Sequence, residues 1–237
     1  MNKTLTAILS TLSLVSLTNT AAAEPMDLDD AFMVGVHLGE LPRGGSFKPG
    51  LSIGYYLNEL VYFGAMYQVG DSIRRDGMSF NVENTGLGGL VRSSEDVSSR
   101  GFLGVRLRPH RYAPFASLGM VYNGADTETM VFDERTRSVG NGSYDGAITI
   151  VQTRQSALRP AIGLGYSYEF DFGLQLSTAW SGWLFEKPSA NIEVESDTPL
   201  TAADEAALRE HISDGFGSTI TNKYHIFHLG VGYVFGN

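Results

Sequence analysis

At 237 residues the chain is long enough for one large β domain or two small ones. It has no cysteine, which excludes disulfide frameworks, thiolate metal centres and cysteine nucleophiles, and its 28 glycines are dispersed, which excludes collagen-like and low-complexity classes. With 17 Lys and Arg against 26 Asp and Glu, the formal net charge of −9 argues against a nucleic-acid binder, which needs a basic face for phosphates.

Residues 1–23 place Lys3 first, then an apolar stretch over 5–17 broken only by Ser and Thr, then Ala21, Ala22 and Ala23 before Glu24. That order predicts a secretory signal peptide, with 24–237 as the exported domain. A membrane anchor is the competing reading, but it wants about 20 mostly apolar residues without this scatter of hydroxyls. Past Glu24 the longest apolar run is 60–69, interrupted by Gly64 and Gln68. An exported chain of this kind is either a soluble β domain or an outer-membrane barrel, because only helices and closed barrels satisfy the backbone inside lipid.

Eight segments alternate with period two, and the chain order is regular. Segment 31–39 puts Phe32, Val34, Val36 and Leu38 on one face; 47–57 puts Leu51, Ile53, Tyr55 and Leu57; 60–70 puts Val61, Phe63, Ala65, Tyr67 and Val69. Segment 101–108 follows with Leu103, Val105 and Leu107, and 112–123 with Ala116, Leu118, Met120 and Tyr122. Then come 158–168 with Ile162, Leu164, Tyr166 and Tyr168, 172–183 with Leu174, Leu176, Thr178 and Trp180, and 224–235 with Phe227, Leu229, Val231, Tyr233 and Phe235. The opposite faces are mostly Gly, Ser and Ala with scattered Tyr, Met, Gln and Arg. Small residues suit the crowded inside of a narrow barrel and bulky aliphatic ones suit lipid, whereas a soluble sandwich would show Lys, Glu and Thr to water.

The predicted fold is therefore an all-β, eight-stranded antiparallel transmembrane barrel. Connections after the second, fourth and sixth segments are short, and those over 71–100, 125–157 and 184–223 are long. Short periplasmic turns and long extracellular loops place both termini in the periplasm. Aromatic residues gather at both predicted rims, among them Tyr112, Tyr168, Phe172 and Phe235 below and Tyr67, Trp180, Trp183 and Tyr224 above.

Residues 228–235, reading HLGVGYVF, resemble the closing strand by which bacterial outer-membrane barrels are recognised for assembly, with Tyr233 and Phe235 as its aromatic signal; Gly236 and Asn237 follow it. The stretch 107–122, reading LRPHRYAPFASLGMVY, resembles the turn and fifth strand of eight-stranded barrels of the outer membrane protein W and outer membrane protein A-like groups. The resemblance implies a Gram-negative outer membrane, contact with lipid and lipopolysaccharide, and the barrel-assembly machinery as a partner. It implies a structural, surface or narrow-channel role for small, often hydrophobic, solutes, with no cofactor or metal. The alternative is a lipid-modifying barrel enzyme acting on lipid A or phospholipid.

Candidate chemistry is sparse. Arg106 and Glu169 face inward near the periplasmic end, Arg106 expected to pair with Glu169 or a neighbouring polar group and plug the pore, while Arg159 faces inward near the outer mouth. His37 and His228 point into the lumen on strands that become neighbours on closure, read as a hydrogen-bonded pair. Asp71 and Ser72 with His37 could form an acyl-transfer centre at the outer rim, although Asp and Ser after a strand are commonly turn formers. His211 and Ser213 have strand-type spacing, but Thr201 and Asp204 predict a capped helix there that stops at Gly215. The last connection carries Glu186, Glu193, Glu195, Asp197, Asp204, Glu205, Glu210 and Asp214 against Lys187 and Arg209, a solvated acidic surface.

Overall fold

The computed structural model describes residues 26–39, 47–219 and 222–236, so the predicted signal peptide lies outside the described residues. In chain order the elements are β1 (Ala31–Leu38), β2 (Pro49–Asn58), β3 (Val61–Gln68), β4 (Asp71–Asp76), β5 (Leu90–Val97), β6 (Arg100–Leu107), β7 (Phe115–Asn123) and β8 (Asp126–Phe132). They continue with β9 (Arg137–Val139), β10 (Gly142–Tyr144), β11 (Ile148–Arg154), β12 (Ala157–Glu169), β13 (Leu174–Trp183), β14 (Ala190–Ser196), α1 (Ala202–Ser218) and β15 (Tyr224–Phe235). Eight strands close a barrel in the order β1–β15–β13–β12–β7–β6–β3–β2, each antiparallel to its neighbours. These are the eight predicted segments, with shifts at the ends that have local causes. β7 starts at Phe115 because Ala113 donates back to His110 O (3.0 Å) in a turn and Pro114 has no N–H for a ladder. β13 starts at Leu174 because Gly173, at φ 91°, closes the preceding turn on Phe170 O (2.9 Å).

The faces segregate as the alternation requires. Phe32, Leu51, Leu103 and Leu164 are 62 %, 63 %, 66 % and 70 % exposed on the outer wall, whereas Ala31, Val121 and Val234 face inward and are wholly buried. An apolar belt of this extent is far beyond what a water-soluble surface carries, and it is the lipid face of a membrane barrel. At the end bearing the short turns, rings chain along the rim: Tyr112 to Tyr168 (5.9 Å between centroids), Tyr168 to Phe170 (4.8 Å), Phe170 to Phe172 (5.4 Å), and Tyr233 to Phe235 (4.9 Å). We call this end proximal; the described chain ends meet there, Phe32 lying opposite Phe235.

The three connections expected as loops are folded. A five-stranded sheet, ordered β14–β11–β8–β5–β4, extends the barrel strands β13, β12, β7, β6 and β3 in the same order. Between barrel and sheet every strand breaks, at 69–70, 98–99, 124–125, 155–156 and 184–189. The break inverts the faces: β7 buries odd-numbered Val121 and Asn123, whereas β8 buries even-numbered Glu128, Met130 and Phe132. Adjacent breaks are tied, Gly124 N–H donating to Ser99 O (2.9 Å) and Ser98 N–H to Asp126 Oδ1 (3.0 Å).

Helix α1 covers the inner face of this sheet. Leu208 and Ile212 pack with Met130, Phe132, Ile148, Ile150 and Ile192 into a core separate from the barrel. The predicted cap is present, Asp204 N–H donating to Thr201 Oγ1 (3.2 Å). The helix runs past Gly215 to Ser218; a Cβ on Gly215 would fall 2.7 Å from the Cβ of Asn84, so that glycine permits close packing against the 3₁₀ turn Val82–Thr85 rather than ending the helix. We call this sheet-and-helix unit the headpiece.

Candidate functional site

The lumen is closed twice. At the proximal level the buried carboxylate of Glu169 accepts hydrogen bonds from Arg108 Nη1 (3.0 Å), Tyr56 Oη (2.9 Å), Ser167 Oγ (2.7 Å) and Gln175 Nε2 (2.9 Å). These donors reach in from β2, β12, β13 and the turn after β6, so the network spans the bore. The expected partner of Glu169, Arg106, is not in it. Arg108 lies two residues nearer the turn on the same face of the chain and so meets the last residue of β12. Arg106 instead runs deeper, its guanidinium held between the Tyr62 and Phe115 rings (4.7 and 4.8 Å to the centroids) with Nη2 facing Met66 Sδ at 3.8 Å. Such ring contacts offset about 2 kcal/mol each when desolvated, so the two together stand against the several kcal/mol that burying a charge costs. Arg108 was legible: the inward series Phe102, Gly104, Arg106 continues to it.

His37 and His228 do enter the lumen, both buried, with ring centroids 5.7 Å apart and planes at 64°. They are not hydrogen-bonded to each other, contrary to expectation. In register His37 faces Gly230, two residues from His228, so the rings meet in a T-shaped contact; neither nitrogen of His37, nor Nδ1 of His228, has a hydrogen-bond partner among the described residues. No group of three or more metal-ligating His, Asp or Glu side chains occurs among the described residues.

The distal closure rests on a length mismatch. Among the described residues, β15 pairs with β1 only up to Leu38 opposite Leu229, leaving 224–228 without a described strand partner along that edge. Side chains from across the bore take the free carbonyls: Gln68 Nε2 donates to Phe227 O (2.7 Å), and Arg100 Nη1 and Asn123 Nδ2 both donate to His225 O (2.9 Å each). Beneath them Tyr224 and Ile226 pack on Met66, Phe102, Val121 and Ala161 and fill the bore. Above them Asp126 holds Arg100 (3.1 Å) and Arg154 together. Arg159 stands at this mouth, over the Tyr224 ring (5.1 Å), in a two-pronged pair with Glu186 (2.5 and 2.8 Å). Arg106, Glu169 and Arg159 are therefore three separate sites. Arg154 and Asp126 escaped the sequence reading because they lie in stretches taken as loop.

The acyl-transfer candidates do not assemble. Ser72 Oγ donates to Asp96 Oδ1 (2.5 Å), and Asp71 accepts from the backbone N–H of Phe47 (2.7 Å), while His37 has no hydrogen-bond partner. His211 and Ser213 lie on α1 either side of buried Ile212, where side chains two apart diverge.

No protein-family model matches the chain, and no curated protein matches it. Among solved structures, CarO2 of Acinetobacter baumannii aligns over 87 % of this chain and 99 % of its own at 12 % identity, with a TM-score of 0.59. CarO of Acinetobacter baumannii aligns over 86 % and 97 % at 15 % identity, with a TM-score of 0.55. The chain has the fold of an eight-stranded outer-membrane barrel. At these identities the likeness establishes architecture, and the closures described above are read from this chain's own residues.

Proposed function

We propose that the protein is a non-enzymatic barrel of a Gram-negative outer membrane, with both termini periplasmic, whose task is to hold the headpiece at the cell surface. The observation that carries this reading is the headpiece itself, a sheet and helix with their own buried core in place of loose connections. Lipid and lipopolysaccharide surround the belt, and Tyr233 and Phe235, half-exposed at the proximal rim, serve the assembly machinery as the closing-strand signal. No nucleic-acid or cofactor role enters the proposal. The engagement of Ser72 by Asp96 speaks against the lipid-modifying alternative. A narrow-channel role for a small solute is the second reading, favoured because the distal closure is made by side chains and breaks without unzipping a barrel strand pair.

A protease site inserted at Asn141, in the β9–β10 turn, is expected to be cut on intact cells, and one at Asn58 or Asp171 is expected to be spared, with heat-modifiable gel mobility confirming a folded barrel. The opposite labelling would overturn the orientation and with it the surface role.

A further inference from the structure

Three barrel strands, β15, β1 and β2, have no continuation in the headpiece sheet, whose strands extend β13, β12, β7, β6 and β3. The outer wall below that gap is hollow. Leu176, Val231, Val36, Leu51 and Tyr67 stand side by side in register across β13, β15, β1, β2 and β3, all on the lipid face. The two valines are shorter than the Leu176 and Tyr67 side chains at the ends of the row, and in the next row towards the distal end the compact Pro49 stands beside Leu38. The result is an apolar groove of about 810 Å³, open sideways to the bilayer. It lies at the distal edge of the belt, because Val69, which lines it, is followed by Asp71 and Ser72, where the wall turns polar.

Position and shape decide what fills it. The groove is continuous with the lipid face, and water finds almost no hydrogen-bond partner on such walls, so its occupant is hydrocarbon. Lipid tails are as apolar as these side chains, so transfer out of water contributes nothing and close packing is what holds a chain there. A concave wall gives each methylene more contacts than the convex wall elsewhere on a barrel. The polar end of that chain must lie at the distal edge of the belt. There, among the described residues, no headpiece strand stands over β15, β1 and β2, which leaves space for a headgroup much larger than that of a phospholipid.

We propose that this groove seats an acyl chain of lipopolysaccharide, with the saccharide headgroup standing in the gap above β15, β1 and β2. The assignment rests on the reading of the distal end as the cell-surface end. The folded protein is purified in maltoside detergent, stripped of lipid, and titrated with purified lipid A and, separately, with phosphatidylethanolamine, the bound lipid being counted by native mass spectrometry. Wild type is expected to bind lipid A saturably and phosphatidylethanolamine more weakly. Val36→Trp, whose indole fills the groove from the lipid side, is expected to lose that binding. Leu118→Trp, equally lipid-facing on β7 across the barrel from β1, is expected to keep it. If Val36→Trp does not give a heat-modifiable barrel, Val231→Phe in the same row carries the test. Absence of saturable lipid A binding in wild type, or binding that survives the filling variant undiminished, would overturn the groove. Equal binding of the two lipids would overturn lipopolysaccharide as its source. A titration in detergent does not depend on which way the barrel faces, so the orientation stands or falls by its own protease test.

Discussion

Two arginines on one face of the chain, Arg106 and Arg108, should respond in opposite ways to the same substitution. Arg108→Met leaves the buried Glu169 carboxylate without its cation and is expected to cost about 3–5 kcal/mol in urea unfolding from lipid vesicles. Arg106→Met removes a charge that no carboxylate compensates, so it is expected to be neutral or stabilising. Equal losses would mean that Arg106 has a partner of its own. In the headpiece, burial pushes the Glu128 carboxyl above the usual carboxylate range, although Asn81 and Ser79 donate to it. An acid whose pKa is raised by folding holds its proton longer in the native state, so this contribution falls as pH rises above 4.5. Asp204 is shifted the other way, by the hydroxyl of Tyr144 first and then by Asn141 N–H and Thr201, so its contribution is lost as pH falls below 3.8. From these two groups, hydrogen-exchange protection of α1 is expected to peak between 3.8 and 4.5, with the decline on the alkaline side absent in Glu128→Gln.

Along a single strand the alternation changes meaning at the break. β13 points Leu176 at lipid, whereas its continuation β14 buries Ile192 and shows Asn191, Glu193 and Glu195 to water. Both patterns have period two, and what differs is which face is apolar, a consequence of hydrocarbon outside one part and water outside the other. Replacing Leu164 or Val231 by Arg is therefore expected to cost about 2–4 kcal/mol near the bilayer midplane, measured by folding titrations in vesicles, with the inward Ser177→Arg costing less where its neighbours leave room. Equal tolerance at all three would reverse the assignment of faces. Thr201→Ala is expected to cost the headpiece about 1 kcal/mol through the lost helix cap, seen as faster proteolysis within α1 while the barrel keeps its heat-modifiable mobility.

For the molecule as a whole, the two closures predict an electrically silent barrel. Wild type in planar bilayers is expected to show no stable conductance, and the pair Gln68→Ala and Asn123→Ala, which frees the carbonyls of Phe227 and His225, is expected to produce brief openings. Steady conductance in wild type would mean that the side chains of Tyr224 and Ile226 do not stay in the bore. The headpiece and the distal closure depend on each other through Asp126, which ties the break between β5 and β6 to the cations at the mouth.

Strand number, closure, lipid-facing side and the capped helix near Thr201 were legible from sequence, because each rests on a local rule: period-two alternation, alternating connection lengths, a Thr and Asp at capping distance. Strand β11, reading ITIVQTR, alternates as plainly as any barrel strand, yet it was passed over because lipid barrels put their long connections outside. Nothing local reports that 155–156 inverts the faces, since an inversion is visible only once both sides have neighbours. The pairing of Glu169 with Arg108 rather than Arg106, the separation of His37 from His228 by register, and the seating of 224–228 under Gln68, Arg100 and Asn123 were likewise decided by tertiary structure. Each depends on strand stagger around a closed barrel, and stagger is a property of the ring of neighbours, fixed by which strands end early, and not of any one segment.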